Sequence, residues 1–286
     1  MTGPASLKPS RNEGGADVLS WGWAEGAVAM KIAAWNVNSL KVRLPQVLDW
    51  LAAQQPDVLC LQETKLTDAQ FPAELLRAAG YHGIFHGQPT YNGVAILSRV
   101  APTAPLCGWP DENDNQARLC AASVGSLRVV SVYVPNGQSV ASDKYAYKLA
   151  WLARLRAFLA DELLRHPRLV LLGDFNIAPT DRDVYDPVAW GEEVLCSPAE
   201  RAALAALHEL GFHDSFRHLY PEAQAWSWWD YRAAMFRRDL GLRIDLILVS
   251  TALVPAIAAA GIDREARRAE RPSDHAPVWL ELGDLP

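Results

Sequence analysis

Short apolar runs that end in polar triplets recur along this chain. Ile32–Val37 reads as a strand running into Asn36-Val-Asn38, and Val58–Gln62 as a buried strand running into Gln62-Glu63-Thr64. Leu127–Val134 has alternating valines and closes on Tyr133-Val-Pro-Asn136; Leu169–Leu172 closes on Gly173-Asp174-Phe-Asn176. Gly93–Ser98, Leu119–Val124, Ile244–Ser250 and Ala276–Leu282 have the same strand character, the last two beside Arg243-Ile-Asp245 and Ser273-Asp274-His275. Between them lie segments with helical spacing. Leu44–Gln54 is stopped by Pro56-Asp57, and Ala69–Ala79 is closed by Gly80. Tyr145–Arg165 is long and amphipathic, and Ser197–Leu210 starts on an N-cap serine followed by proline and ends at Gly211.

Strands and helices alternate, but hairpin-like neighbours also occur. The pattern predicts an α/β four-layer sandwich, two packed mixed sheets flanked by helices. No repeat or linker divides residues 30–286, which read as one domain of sufficient length for a large core. Residues 1–29 hold Gly, Pro, Ser and mixed charges without an apolar segment. They read as a disordered extension rather than a signal peptide, with Met30 as the alternative start. The polar triplets then fall at strand ends, where loops deliver chemistry to one edge of the sheets.

The net charge of −6 excludes a global basic field, so a polyanionic partner would need local Lys/Arg clusters and metal. Arg237, Arg238 and Arg243 closely follow the Trp226-Ser-Trp228-Trp229-Asp-Tyr231-Arg232 run in sequence, and with Lys41 and Arg43 they supply such local charge. Aromatics interleaved with arginines suit an unpaired nucleotide or exposed sugar, although core packing accounts for at least one of the tryptophans. Cys60, Cys107, Cys120 and Cys196 lack metal-type spacing and read as reduced thiols of a cytoplasmic protein. No stretch is long and apolar enough to span a membrane.

The triplets carry the chemistry. Glu63, at the end of a buried strand, suits a hard divalent ion such as Mg²⁺, and Asn36 and Asn38 can add amide oxygens. Asp174 and Asn176 project together beyond Gly173: a carboxylate to orient or deprotonate water, and an amide to bind charge on a phosphoryl oxygen. His275 can donate to phosphate or act as base, with Asp245 to orient it. Tyr133 offers a phenolic donor, or else is a core-edge tyrosine. Taken singly, each has a plain alternative as a turn or surface residue.

The set, in this order, resembles the exonuclease III family of abasic-site DNA repair enzymes within the endonuclease/exonuclease/phosphatase superfamily. The resemblance runs from about Lys31 to Leu282. It rests on Trp-Asn-Val-Asn-Ser-Leu (35–40), Leu-Gln-Glu-Thr-Lys (61–65), Asn-Gly-Val-Ala-Ile-Leu-Ser-Arg (92–99), Tyr-Val-Pro-Asn-Gly (133–137), Gly-Asp-Phe-Asn-Ile-Ala-Pro (173–179), Ser-Trp-Trp-Asp-Tyr-Arg (227–232), Gly-Leu-Arg-Ile-Asp (241–245) and Pro-Ser-Asp-His-Ala-Pro (272–277). It implies Mg²⁺ or Mn²⁺ on Glu63 and Asn36, with Asp174, Asn176, Asp274 and His275 around the ion. It implies water activation by Asp174, transition-state stabilisation by Asn176, an active-site phenol on Tyr133, and a phosphate contact by His275 oriented by Asp245. Trp228 and Leu242 fall at the family's sugar pocket; Lys41, Tyr91 and Asn136 fall on its DNA side. The implied partner of this monomer is double-stranded DNA with abasic sites or 3′ ends. The runner-up is a superfamily phosphoesterase acting on phosphoinositide or sphingolipid. Two departures stand out: Ser39 replaces a common glycine, and Tyr185 brings bulk to a loop expected near the pocket, where it bears on the balance between endonuclease and 3′-end trimming.

Overall fold

The computed structural model describes residues 30–111 and 114–285; the expectation of an N-terminal extension over 1–29 lies outside them. In chain order the elements are β1 (Met30–Asn36), α1 (Leu40–Gln54), β2 (Val58–Gln62), α2 (Ala73–Ala78), β3 (His82–His86), β4 (Val94–Ser98), β5 (Thr103–Cys107), β6 (Leu119–Val124) and β7 (Leu127–Tyr133). They continue with α3 (Asp143–Arg165), β8 (Leu169–Asp174), α4 (Pro187–Trp190), α5 (Pro198–Glu209), β9 (Phe212–Asp214), α6 (Ser215–Leu219), β10 (Asp245–Ser250), β11 (Ile257–Ile262) and β12 (Val278–Leu282).

Twelve strands form two six-stranded sheets, ordered β11-β12-β1-β2-β4-β3 and β5-β6-β7-β8-β10-β9. Each sheet has one parallel pair at its middle, β1/β2 joined through α1 and β7/β8 joined through α3; all other neighbours are antiparallel. The central strands are buried on both faces, and their side chains divide by alternation. Ile32, Ala34, Val170 and Leu172 enter the layer between the sheets. Ala33 and Trp35 pack outward under α1, with Leu51 and Leu59, while Leu169 and Leu171 pack outward under α3, with Leu155 and Leu159. The four-layer sandwich follows from that division.

Three local expectations change. Ala69–Ala79 is not one helix: a 3-10 turn over Asp68–Gln70 is separated from α2 by Phe71-Pro72. Proline lacks the N–H a continuing helix needs and pushes Phe71 to an extended conformation. Helix α1 begins a turn earlier than Leu44 because Ser39 and Leu40 donate their backbone N–H groups to Glu63 and Thr64, which anchors its first turn on the β2 loop. Strand β8 does not turn after Leu172 but runs through Gly173 to Asp174, pairing Val132 with Gly173 and Tyr133 with Asp174. A side chain on Gly173 would stand 2.0 Å from the Val132 carbonyl oxygen, so glycine serves close strand approach here.

Candidate active site

The two parallel pairs end at the same edge. Asn36 closes β1, Glu63 follows β2, Tyr133 closes β7 and Asp174 closes β8. Antiparallel β10 opens at Asp245, in register with Asp174. Five non-glycine residues at this edge, Asn38, Ser39, Glu63, Lys65 and Asn176, have positive φ, between 44° and 92°. Ser39, at φ 92°, takes the glycine-type conformation without being glycine.

Asn36 is buried and donates its amide to both acids, 2.9 Å to Glu63 Oε1 and 2.8 Å to Asp174 Oδ2. Its own oxygen accepts the Asn38 backbone N–H. In this arrangement Asn36 orients the carboxylates through its N–H groups, while its oxygen accepts one backbone N–H. Asn38 likewise spends its oxygen on the Lys65 ammonium and its amide N–H on Asp274. Asp274, expected near the ion, accepts from Asn38 and from the Trp228 indole at 3.0 Å each.

Glu63, Asp174 and His275 present one ligand atom each, all within 4.8 Å of one another. Burial pushes the Glu63 carboxyl up, but the Lys65 ammonium at 2.8 Å and the Asn36 amide outweigh it and hold the group below its ordinary value. Asp174 is raised to about 7, chiefly by burial, against the opposing pull of His275. His275 goes the other way from its own burial. Asp245, 2.8 Å from Nδ1, and Asp174, 3.8 Å from Nε2, raise the imidazole to about 10. Ser227 hydroxyl donates to Asp245 at 2.7 Å and accepts the Ile244 and Asp245 backbone N–H groups. Asn176 donates its amide to the Val134 carbonyl at 3.0 Å and, at a longer 3.3 Å, to Asp174; its oxygen accepts from Asn136. The Tyr133 phenol is held well above its ordinary value by burial and by the Glu63 and Asp174 charges, with the Arg118 guanidinium 4.7 Å from its ring centre.

Of the expected DNA-side residues, Lys41 and Asn136 are exposed and Tyr91 is 68% exposed. Trp228 is half-buried, and Trp229 is the core tryptophan of its run. Leu242 is wholly buried beneath Trp228 and Val184, to which it is paired, so it offers no open surface. Tyr185 packs on the same buried cluster as Trp228. Lys65, Ser227 and Lys148 had no expected role. Lys65 sits inside a recognisable motif, and Lys148 falls on the apolar stripe of α3 with Trp151, Leu152 and Leu155, a position where lysine is out of pattern.

Buried acids paired with a histidine at the shared edge of two sheets define a phosphoesterase-type site. The chain belongs to the endonuclease/exonuclease/phosphatase family, whose model matches residues 33–275. It is 38% identical over 266 residues to exodeoxyribonuclease III of Haemophilus influenzae, covering 88% of this chain and all of that one. A solved 3′ phosphatase from Neisseria, bound to product DNA hairpin, shares 51% identity with a TM-score of 0.88, covering 90% of this chain and all of that one. An AP endonuclease from Archaeoglobus fulgidus shares 37% identity with a TM-score of 0.85, covering 88% and 99%. Among the described residues no helix is long and apolar enough to cross a membrane.

Proposed function

We propose that the protein is a metal-dependent DNA repair nuclease of the exonuclease III type, using Mg²⁺ or Mn²⁺. It hydrolyses phosphodiester bonds at abasic sites and at the 3′ ends of double-stranded DNA. The observation that carries this reading is the Asp174 carboxylate: buried, gripped by Asn36 and Asn176, and faced by the His275 imidazole at 3.8 Å. The donor set fits a hard cation: Glu63 and Asp174 would supply charged oxygens, with His275 beside them. A divalent ion held there supplies Lewis-acid stabilisation of charge on the phosphoryl oxygens.

The remaining steps belong to this chain's own groups. Asp174, held in place by the Asn36 amide and the Asn176 backbone N–H, takes a proton from the attacking water. His275 donates Nε2–H to a phosphate oxygen, with Asp245 fixing its ring through Nδ1 and Ser227 fixing Asp245. The Asn176 amide proton on the long contact to Asp174 is the one an incoming phosphoryl oxygen can take over. Water oxygen bonds to phosphorus, the bond from phosphorus to the 3′ oxygen breaks, and the departing 3′ oxygen takes a proton from solvent to become the 3′-hydroxyl. The same bond breaks at an internal abasic site, at a recessed 3′ nucleotide and at a 3′-phosphate, so one site serves all three. The higher identity to a 3′ phosphatase than to an AP endonuclease weights the reading towards 3′ ends. We place the enzyme in the cytoplasm as a monomer acting on duplex DNA.

Matched duplexes carrying an internal abasic site, a 3′-phosphate or a recessed 3′ end test the reading on one gel, with and without chelator. Metal-dependent release of 3′-hydroxyl products is expected. Inactivity on all three, or activity that survives chelation, overturns it.

A further inference from the structure

Of the buried charges that take no part in this chemistry, Lys148 touches the Asn176 turn directly. Lys148 on α3 has no exposed surface, and neither has its partner Glu200 on α5. The ammonium donates to Glu200 Oε1 at 2.5 Å, to the Asn176 carbonyl oxygen at 2.6 Å and to the Asn136 carbonyl oxygen at 3.1 Å. Three protons thus meet three acceptors.

Those two carbonyls belong to the residues that aim one amide. Asn176 sits at φ 49°, a strained conformation that needs its surroundings to hold it. Asn136 donates to its side-chain oxygen, which turns its amide N–H groups towards Val134 and Asp174. Lys148 therefore grips the backbone of both the aiming residue and the aimed one. Glu200 extends the grip: its second oxygen accepts the Ser197 backbone N–H and hydroxyl, and its first also accepts the Leu195 N–H. Gly137, next to Asn136, makes room for this arrangement; a Cβ there would lie 3.2 Å from Lys148 Cδ.

Net stability is a weak account of the pair, beyond the cap that Glu200 gives α5. Desolvating two ions is costly, and well-packed apolar residues of similar volume often serve a fold equally or better. An apolar pair cannot donate to two carbonyls from one point. We propose that Lys148, braced by Glu200, is a positioning residue for phosphodiester hydrolysis, holding the 174–176 turn so that the Asn176 amide faces the transferring phosphate. The inference rests on the nuclease reading.

The test compares wild type with Lys148→Met/Glu200→Gln, which removes both buried charges and keeps a capping side chain at 200. A Leu207→Ala variant on the same helix controls for lost packing. The assay follows a recessed-end duplex at saturating metal, with thermal unfolding in parallel. The double variant should lose roughly 10–100-fold in kcat, the scale of a small misplacement of a reacting group, with little change in KM. Leu207→Ala should lose stability and keep kcat. Wild-type kcat in the folded double variant, or a fall in kcat matched by Leu207→Ala at equal loss of stability, overturns the proposal. If the double variant does not fold, Glu200→Gln alone decides: reduced kcat at unchanged KM supports positioning, and wild-type kcat overturns it. A wild-type enzyme inactive on every duplex overturns the nuclease reading itself and this inference with it.

Discussion

A buried imidazole with no carboxylate beside it gives up its proton easily; His275 has two carboxylates facing it and keeps its own. Its value of about 10 lies above the ordinary 6.5, so the folded state binds the proton more tightly than the unfolded chain. The stability this contributes is complete below about pH 6.5, the ordinary histidine value, and is lost as pH rises towards 10. Urea unfolding of the chelator-treated protein should therefore show a midpoint that falls between pH 7 and 10, and His275→Ala should flatten that fall; equal slopes would mean the proton is not held as described. The same pair makes a kinetic prediction. His275→Ala should lower kcat by about 10²–10⁴-fold, the range for loss of a proton-transferring or charge-stabilising group, and Asp245→Asn by less. Because Asp245 acts through the ring, the double variant should be no slower than His275→Ala alone. Additive losses in single-turnover rates would separate the two residues.

At the scale of elements, the edge of β8 and the loop after it govern how substrate meets the acids. Gly173 lets β8 press against β7 at φ 141°, so Asp174 ends level with Tyr133 and Asp245. Gly173→Ala should cost at least about 1–3 kcal/mol, as overpacking does, because the obstructing atom is backbone. The check is a lowered midpoint in thermal or denaturant unfolding; a wild-type midpoint would show that the strands can part without penalty. The loop beyond is rigidly held: Asp183 accepts from Arg243 and Arg217 at 2.7 Å each, and Tyr185 donates its backbone N–H to the Gly241 carbonyl. The Tyr185 ring meets Trp190 edge-on at 6.4 Å. An internal abasic sugar must rotate out of the duplex to reach the acids, whereas a strand end need not. Tyr185→Gly should therefore raise cleavage at internal abasic sites relative to removal of 3′-phosphates. A common fall in both rates would mark the ring as loop packing instead.

For the whole molecule, the question is how a chain of net charge −6 holds a polyanion. Lys41 stands exposed on the first turn of α1, immediately after the Asn38-Ser39 loop at the site edge, and Arg43 donates to the Asn38 and Pro272 carbonyls nearby. Local cations of this kind release counterions from DNA whatever the sign of the total. Binding should weaken with salt, and Lys41→Ala should flatten the slope of log affinity against log salt by about one, the loss of one phosphate contact. An unchanged slope in a fluorescence-anisotropy titration would move the DNA path away from α1.

Much of this was legible in the sequence because strands buried on both faces leave continuous apolar runs, and their ends are marked by polar triplets. Val58–Gln62 came through intact, and Asn36, Glu63, Tyr133, Asp174, Asp245 and His275 could be named without coordinates. Strands β3, β5, β9 and β11 could not, because they are edge strands whose residues have mixed exposure and, in Ile257–Ile262, little β-branched character. Only the tertiary structure set which atom of each amide faces which acid: Asn36 turns N–H, not oxygen, to Glu63 and Asp174 because its oxygen is taken by the next loop residue but one. It also brought Lys148 and Glu200, 52 residues apart, into one buried pair beneath the Asn176 turn. The sequence determined which groups stand at strand ends, since alternation and chain punctuation are local. Their hydrogen-bond direction and proton affinity depend on partners distant in the chain, and those partners meet only when the two sheets pack.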